Sequence, residues 1–379
     1  MVFHRYTLLL VALCFGVASG DVTTTTTTTT PVTRYYADLV ASLPAQHNKC
    51  VAITGTTSGI GYWTAMATVK KGPACLIMLN RNSSRAVKAQ EDVEKAAPAG
   101  VAVVTVNIDL QNTSSVREAA AGVNHIVSKF GGLDVLACNA GVMSEPDVRT
   151  HEGYDVVMQT NHLSHFLLTK LLMPSLRAAA AARGEVRVVT QTSLARGGDA
   201  PASEYYMKSA AGTLGGNGTK AAFERYHQSK QAMIAFSMAL HSKFAHAKSY
   251  SNFKSLSAAP GLAATGLNTG WPQVIVDYLK EHVCMSPPDG SCSILTAMFS
   301  SSAQSGDFYE PEHLISGSPY KLISEGVPNK LAEIPRALMG EWNDAASCSD
   351  AVGAEVWGAS EAALGEKFII ADLLSPLVV

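Results

Sequence analysis

The sequence predicts an α/β fold: a single doubly wound parallel sheet over residues 46–379, finished by a less regular C-terminal part. Three observations predict it. From residue 50 onward short apolar runs alternate with longer amphipathic ones, the pattern of successive βαβ units whose strands are buried on both faces. A glycine-rich turn, "TGTTSGIG", stands between the first apolar run and the first amphipathic one. The composition, 47% hydrophobic against 16% charged over 379 residues, supplies a large core, and no composition break or internal repeat divides it.

The chain opens "MVFHRYTLLLVALCFGVASG": His4 and Arg5, an apolar run from Leu8 to Val17, then the small residues Ala18 and Gly20. This reads as a cleavable secretory signal over 1–20, which sends the protein to the secretory pathway, secreted or in the ER lumen. The run is shorter than the roughly 20 residues that a helix needs to cross a bilayer, so no stable transmembrane span is expected. An uncleaved anchor and a bipartite plastid route are the alternatives. "DVTTTTTTTTPVT" then begins a threonine-rich linker over 21–45, expected to stay extended because it has too little apolar surface to offset ordering. Without Cys14 six cysteines are left for an oxidising compartment. Cys138 reads as core, and one disulfide is expected among Cys284, Cys292 and Cys348. Asn82, Asn112 and Asn217 each open an N-x-[ST] sequon.

The expected strands are "CVAIT" (50–54), "CLIML" (75–79), "VAVVTVNI" (101–108), "DVLAC" (134–138), "VRVVTQTS" (186–193) and "FKSLSAAP" (253–260). Between them "GYWTAMATVKK", "SSVREAAAGVNHIVSKF" and "AAFERYHQSKQAMIAFSMALHSKF" carry helical periodicity. This is a Rossmann-type arrangement. A net charge of −2 with no clustered cations excludes a phosphate-tracking surface, so no nucleic acid is expected.

The chemistry gathers at strand ends. Gly55, Gly59 and Gly61 let the backbone approach a pyrophosphate, whose charge is favoured at the head of the following helix. After the second strand "LNRNSSR" offers Arg81 and Arg85 and no carboxylate, which suits the extra phosphate of NADP(H) rather than the ribose hydroxyls of NAD. Tyr226 and Lys230, four apart on a helix, share a face. An ammonium beside a phenol favours the phenolate, so the pair is a candidate proton-transfer group. Ser193 ends the fifth strand, "CNAG" with Asn139 and Gly141 closes the fourth, and Asn161 lies in "TNHLSHFLLTKLL".

Together these strings resemble the short-chain dehydrogenase/reductase family over roughly residues 48–300, and "LNRN", "TNHLSHFLLT", "TSLAR" and "YHQSKQA" are most similar to its retinol dehydrogenase-type branch. The resemblance implies Tyr226 as acid/base, Ser193 holding the substrate oxygen, Lys230 lowering the tyrosine's pKa and binding the nicotinamide ribose, and Asn161 holding a water that continues the proton relay. It implies a cofactor site in which Gly55, Ser58, Gly59, Ile60 and Gly61 form the pyrophosphate turn and Arg81 meets the 2′-phosphate. Asp109, followed by Leu110, would bind the adenine; Asn139, Ala140 and Gly141 would form the cofactor-side loop; Pro260, Gly261 and Thr265 would line the nicotinamide carboxamide. The hydride would come from the cofactor.

The sequence departs from the family in the interval 194–225, whose length implies an insertion bordering the site, with the character of a lid. Tyr205, Tyr206 and Met207 within it either contact an apolar substrate or staple the loop to the body. This length, with "ATGL" after Gly261, is also similar to light-dependent protochlorophyllide reductases, which commonly carry threonine at the Ser193 position. His162 and His165 have a zinc-compatible spacing without an evident third ligand, so they are expected to be structural and no metal is expected. Trp271 and Tyr278 are weaker candidates for an apolar wall. The leading expectation is an NADP(H)-dependent oxidoreductase that interconverts an alcohol and a carbonyl on a lipophilic small molecule. The alternatives are a protochlorophyllide reductase-like pigment reductase and a non-catalytic NADP-binding sensor. A homo-oligomer formed through the helices at 153–182 and 226–247 is the expected assembly by analogy.

Overall fold

The computed structural model describes residues 31–197, 201–267, 273–324, 327–328 and 349–370; the apolar N-terminal run, the threonine tract, Trp271 and Cys348 lie outside them. The six predicted strands form parallel neighbours: β1 (Cys50–Thr54), β2 (Cys75–Asn80), β3 (Ala102–Asn107), β4 (Val135–Cys138), β5 (Val186–Gln191) and β6 (Phe253–Ala258). A parallel β7 (Phe308–Pro311) and antiparallel β8 (Pro319–Ser324) and β9 (Val327–Pro328) extend the sheet to the order β3-β2-β1-β4-β5-β6-β7-β8-β9. The order reverses between β1 and β4, where an open α/β sheet leaves a crevice at its carboxyl edge. The doubly wound expectation holds. Where the sequence ran the fifth and sixth strands to 193 and 260, the ladder stops at Gln191 and Ala258, because the next residues leave it to line that crevice.

Helices cover both faces: α1 (Tyr36–Ser42), α2 (Gly59–Lys70), α3 (Ser84–Ala96), α4 (Thr113–Ser128), α5 (Ser164–Arg183), α6 (Thr219–Ala245), α7 (Gln273–His282), α8 (Cys292–Phe299) and α9 (Asp350–Leu364). Every residue of β1, β2, β4 and β5 is buried, as a sheet sandwiched between helix layers requires. One core layer joins Val116, Leu168 and Phe236 to the sheet; the other joins Ala65, Val69 and Met298. Among the described residues no helix is long and apolar enough to cross a membrane.

Two expectations change and one open alternative closes. The linker does not run to residue 45: the chain enters α1 at Tyr36, and the amides of Arg34, Tyr35 and Tyr36 donate to the Asp289 carboxylate at 2.8, 2.8 and 3.0 Å. A carboxylate is the natural cap for free amides at a helix start. Cys284 and Cys292 are free, with Cys292 buried at the first turn of α8, so no disulfide joins them; the third candidate, Cys348, is outside the described residues. Tyr205 and Tyr206 are buried against Tyr154, Ala232 and Val356, so within the insertion they staple the loop, while Met207 is 61% exposed. One face of α6 is covered by α9, whose Trp357 packs with Phe166, Phe236 and Phe368 at ring distances of 5.0, 5.9 and 4.8 Å.

Candidate active site

A cleft of about 670 Å³ opens over the carboxyl ends of β1, β2, β4 and β5. Its floor depends on glycine. A Cβ on Gly61 would stand 2.0 Å from the Gly55 carbonyl oxygen, and one on Gly55, whose φ is +74°, 2.9 Å from the Ala140 Cα. Only bare backbone lets the first turn of α2 lie this close to the ends of β1 and β4. Ser58 caps that helix without a side-chain hydrogen bond, so the first-turn amides of Gly59, Ile60 and Gly61 are left to the cleft they line.

Neutral hydrogen bonds brace the floor. The Thr54 hydroxyl accepts from the amides of Asn139 and Ala140, each at 2.9 Å, and Asn139 Nδ2 donates to the carbonyls of Thr54 and Gly55 at 2.9 and 3.2 Å. Asn80 holds Thr56 from both ends, accepting its amide at 2.7 Å and donating to its hydroxyl at 2.8 Å. Arg81 and Arg85, both exposed, are left at the rim of the cleft with no carboxylate at the end of β2.

At the opposite end Tyr226 is hydrogen-bonded to the Ser193 side chain. Burial pushes the phenol up to about 12, against the downward pull of that hydrogen bond. Lys230 is brought down to about 8 by burial; its Nζ donates to the Gln191 carbonyl at 3.0 Å and lies 5.7 Å from the centre of the Tyr226 ring. The spacing had implied that the lysine lowers the tyrosine's pKa. In this geometry desolvation outweighs that effect, since the ammonium is directed to a backbone carbonyl and the phenol is only 5% exposed. Ser193 is fixed from behind: its hydroxyl accepts the Ala195 amide, and its carbonyl accepts from Arg196, which pairs with buried Glu310 at 2.8 Å.

Asn161 sits in a π-helical turn (Gln159–Leu163) that leads into α5. Such turns recur at functional sites because they displace a backbone carbonyl from its usual partner. The Asn161 side chain is spent: Oδ1 accepts the Val142 amide at 2.8 Å, and Nδ2 donates to the Val142 carbonyl at 3.0 Å and to Ser229 at 2.9 Å.

The cleft thus gathers Gly55, Ser58, Gly59, Ile60, Gly61, Arg81, Asp109, Leu110, Asn139, Ala140, Gly141, Tyr226, Lys230, Pro260 and Thr265. Asn161, Ser193 and Gly261 are outside its lining. The first two stand directly behind it, whereas Gly261, at φ +68°, forms a tight turn where a Cβ would meet the Ile315 carbonyl at 2.6 Å. Tyr278 is not in the wall; it packs on His282. Among the described residues no three potential metal ligands converge, and His162 and His165 are wholly buried. Sequence reasoning missed Thr54, which braces the floor, and the lining residues Asn80, Thr192, Val142, Met143, Glu145 and Leu267. For Thr54 a signal existed, its place directly before Gly55.

The outer wall, residues 143–155 and 201–225, of which only Met143 and Glu145 line the cleft, is held by buried charge. Arg225, next to Tyr226, donates to the carbonyls of Glu145, Leu214 and Gly216, each at 2.9 Å, and its Nε lies 3.6 Å from Asp155. Asp147 accepts the amides of Leu214 and Gly216 at 2.9 Å and pairs with Arg149 at 2.6 Å.

Comparison with known proteins agrees with this geometry. Residues 49–215 match a family model described as short chain dehydrogenase. Over 243 residues the chain is 33% identical to an uncharacterised oxidoreductase of Schizosaccharomyces pombe, covering 64% of this chain and 68% of that one. It is 30% identical over 258 residues to polyprenol dehydrogenase of Mus musculus, covering 67% and 72% of the two chains. Retinol dehydrogenase 13 of Homo sapiens matches at 35% over 135 residues, or 36% of this chain and 39% of that one. Among solved structures, an uncharacterised protein from Mycobacterium paratuberculosis superposes with a TM-score of 0.62 at 26% identity, covering 90% of this chain and all of that one.

Proposed function

Since this chain belongs to the short-chain dehydrogenase/reductase family, in its retinol dehydrogenase-like branch, we propose that it is an NADP(H)-dependent enzyme reducing a carbonyl on a lipophilic small molecule, with Tyr226 as the acid. Membership makes it an oxidoreductase that interconverts alcohols and carbonyls with a nicotinamide dinucleotide. One observation carries the finer reading: a single cleft joins Arg81 and Arg85 at one end to Tyr226 and Lys230 at the other, with the uncapped start of α2 between them.

The residues fit a dinucleotide. The amides of Gly59, Ile60 and Gly61 suit a pyrophosphate, and the two arginines with no nearby carboxylate suit a 2′-phosphate. When bound, the cofactor supplies the hydride. The protein supplies the proton. A phenol pushed up to about 12 keeps its proton throughout neutral pH, which supports the reductive direction, in which Tyr226 donates to the forming alkoxide. The Ser193 hydroxyl orients the same oxygen. Lys230, charged below about pH 8 and 5.7 Å from the Tyr226 ring centre, offsets by its charge the phenolate that remains after transfer. Val142, Met143 and Leu267 give that end of the cleft an apolar wall, and two relatives are named for polyprenol and retinol.

The test is a fluorescence titration with NADPH and with NADH, followed by NADPH oxidation against lipophilic aldehydes and ketones. NADPH should bind the tighter. Tyr226→Phe should bind NADPH as the parent does and lose at least about 100-fold in kcat. The parent's reductase rate should fall above about pH 8, as Lys230 gives up its charge. Failure to bind either nucleotide would sink the proposal.

A further inference from the structure

His162 and His165, with no third potential metal ligand beside them among the described residues, differ in what they hold. His162 Nε2 lies 2.7 Å from the Ser360 hydroxyl of α9, and Ser360 donates its own proton to the Val356 carbonyl at 2.7 Å. That ring is therefore a donor to the C-terminal helix. His165 turns the other way. Its Nδ1 is 2.9 Å from the Asn161 carbonyl oxygen and its Nε2 is 2.9 Å from the Thr54 hydroxyl.

Hydrogen-bond accounting fixes the tautomer. Thr54 Oγ1 already accepts two amides, from Asn139 and Ala140, so both its lone pairs are in use. Its proton must go outward, and the available acceptors are His165 Nε2 at 2.9 Å and the Ala137 carbonyl at 3.4 Å. The shorter contact wins. Nε2 is then an acceptor, so the proton of the neutral ring is on Nδ1 and is donated to Asn161. Total burial keeps the ring neutral, with its pKa brought down to about 4, and the charge of Lys230 presses the same way. An unbroken chain results: the cofactor-side loop amides, Thr54, His165, and the one polar group of Asn161 that its side chain leaves for the relay.

We propose that His165 is a positioning residue for the reaction, which fixes the orientation of the Asn161 carbonyl in the π turn and ties it to the Thr54 hydroxyl under the glycine turn. The inference rests on the oxidoreductase reading above. It predicts that the cofactor floor and the proton relay are set by one ring and shift together when it is lost.

Three measurements test it. The ¹⁵N spectrum of the imidazoles in the full chain, with the His165 signals assigned by their loss in His165→Gln, should show a neutral Nδ1-protonated ring from about pH 6 upward. This readout stands even if no carbonyl on the panel is reduced, so it separates failure of the inference from failure of the functional reading. An Nε2-protonated or cationic ring overturns the inference. Second, His165→Leu, compared well below its melting temperature, should weaken NADPH binding and lower kcat, the latter by about 10- to 100-fold, because displacement of positioned groups is felt at that scale. His165→Gln, whose amide donates and accepts at once, should recover most of both losses. A Leu variant that is merely less stable, with parental binding and kcat, overturns the inference, as does a Gln variant no better than Leu. Third, His162→Gln, equally buried and three residues away, should lower the melting temperature and leave kcat and NADPH binding at parental values; a loss of kcat equal to that of His165→Leu would overturn the inference too.

Discussion

The two sides of the cleft are built from different forces. The floor, at the ends of β1, β2 and β4, is held by glycine contacts and by neutral groups: Thr54, Asn80, Asn139 and His165. The outer wall is held by ions that water does not reach: Asp147, Asp155 and Arg225 have fully buried side chains, and Arg149 nearly so. The difference teaches where a protein can place charge. The floor under a dinucleotide is braced without carboxylates and offers amides, while Asp109 and Glu145 line the cleft outside it. A wall made of long loops with few apolar residues needs strong directional contacts to hold one shape, and buried ions supply them at a cost in desolvation.

The comparison breaks most visibly at Arg225. Replacing it with Met takes the nearer cation from buried Asp155, leaving it only Arg149 at 3.9 Å, and strips the Glu145, Leu214 and Gly216 carbonyls of their donor; it should cost about 3–5 kcal/mol of unfolding free energy by urea denaturation. A loss under about 1 kcal/mol would mean that packing alone holds the wall. Acid should expose the floor next. His162 and His165 take up protons near pH 3 and 4 when folded but near about 6.5 when unfolded, so over that window the unfolded chain binds more protons. Stability therefore falls as pH drops below about 6.5, by about 2 kcal/mol for each ring at pH 5. Urea midpoints at pH 7 and pH 5 measure it, and His162→Gln should remove about half of this contribution. The smallest effect belongs to the rim. Arg81 and Arg85 exchanged together for Ala should weaken NADPH by about 10-fold and leave NADH nearly unchanged, in the same fluorescence titration. Equal weakening of both nucleotides would remove the 2′-phosphate from their role.

What the sequence disclosed followed the same division. The floor is written in short, contiguous strings, because a glycine turn, an N-A-G triplet and a Tyr/Lys pair at helical spacing are all local. Strands β1 to β6 and the helix carrying Tyr226 were legible for that reason. The wall was not. Arg225 reads as a solvated charge until Asp155, far back in the chain, is brought to it, and "FYEP" shows no strand pattern because Glu310 is buried for the sake of Arg196. Residues 36–42 read as linker because the cap that starts their helix, accepting the amides of residues 34–36, is Asp289, some 250 positions onward. The Asn161 turn reads as ordinary helix, since nothing in "MQTNHLSH" marks the slip to a π turn. The pair His162 and His165 reads as structural from its spacing, but which partner each ring holds depends on a strand end and a helix that the spacing does not reveal.

The ring cluster under α9 also orders events in time. Phe166 and Phe236 come from the middle of the chain, whereas Trp357 and Phe368, which pack against them, come from near its end. A ribosome delivers the first two long before the last two, so the growing chain carries an uncovered aromatic surface throughout synthesis of the intervening residues. Such a surface associates with whatever apolar matter is nearby. The growing chain therefore passes through an interval in which that aromatic face is uncovered, which ends when α9 emerges and closes over it.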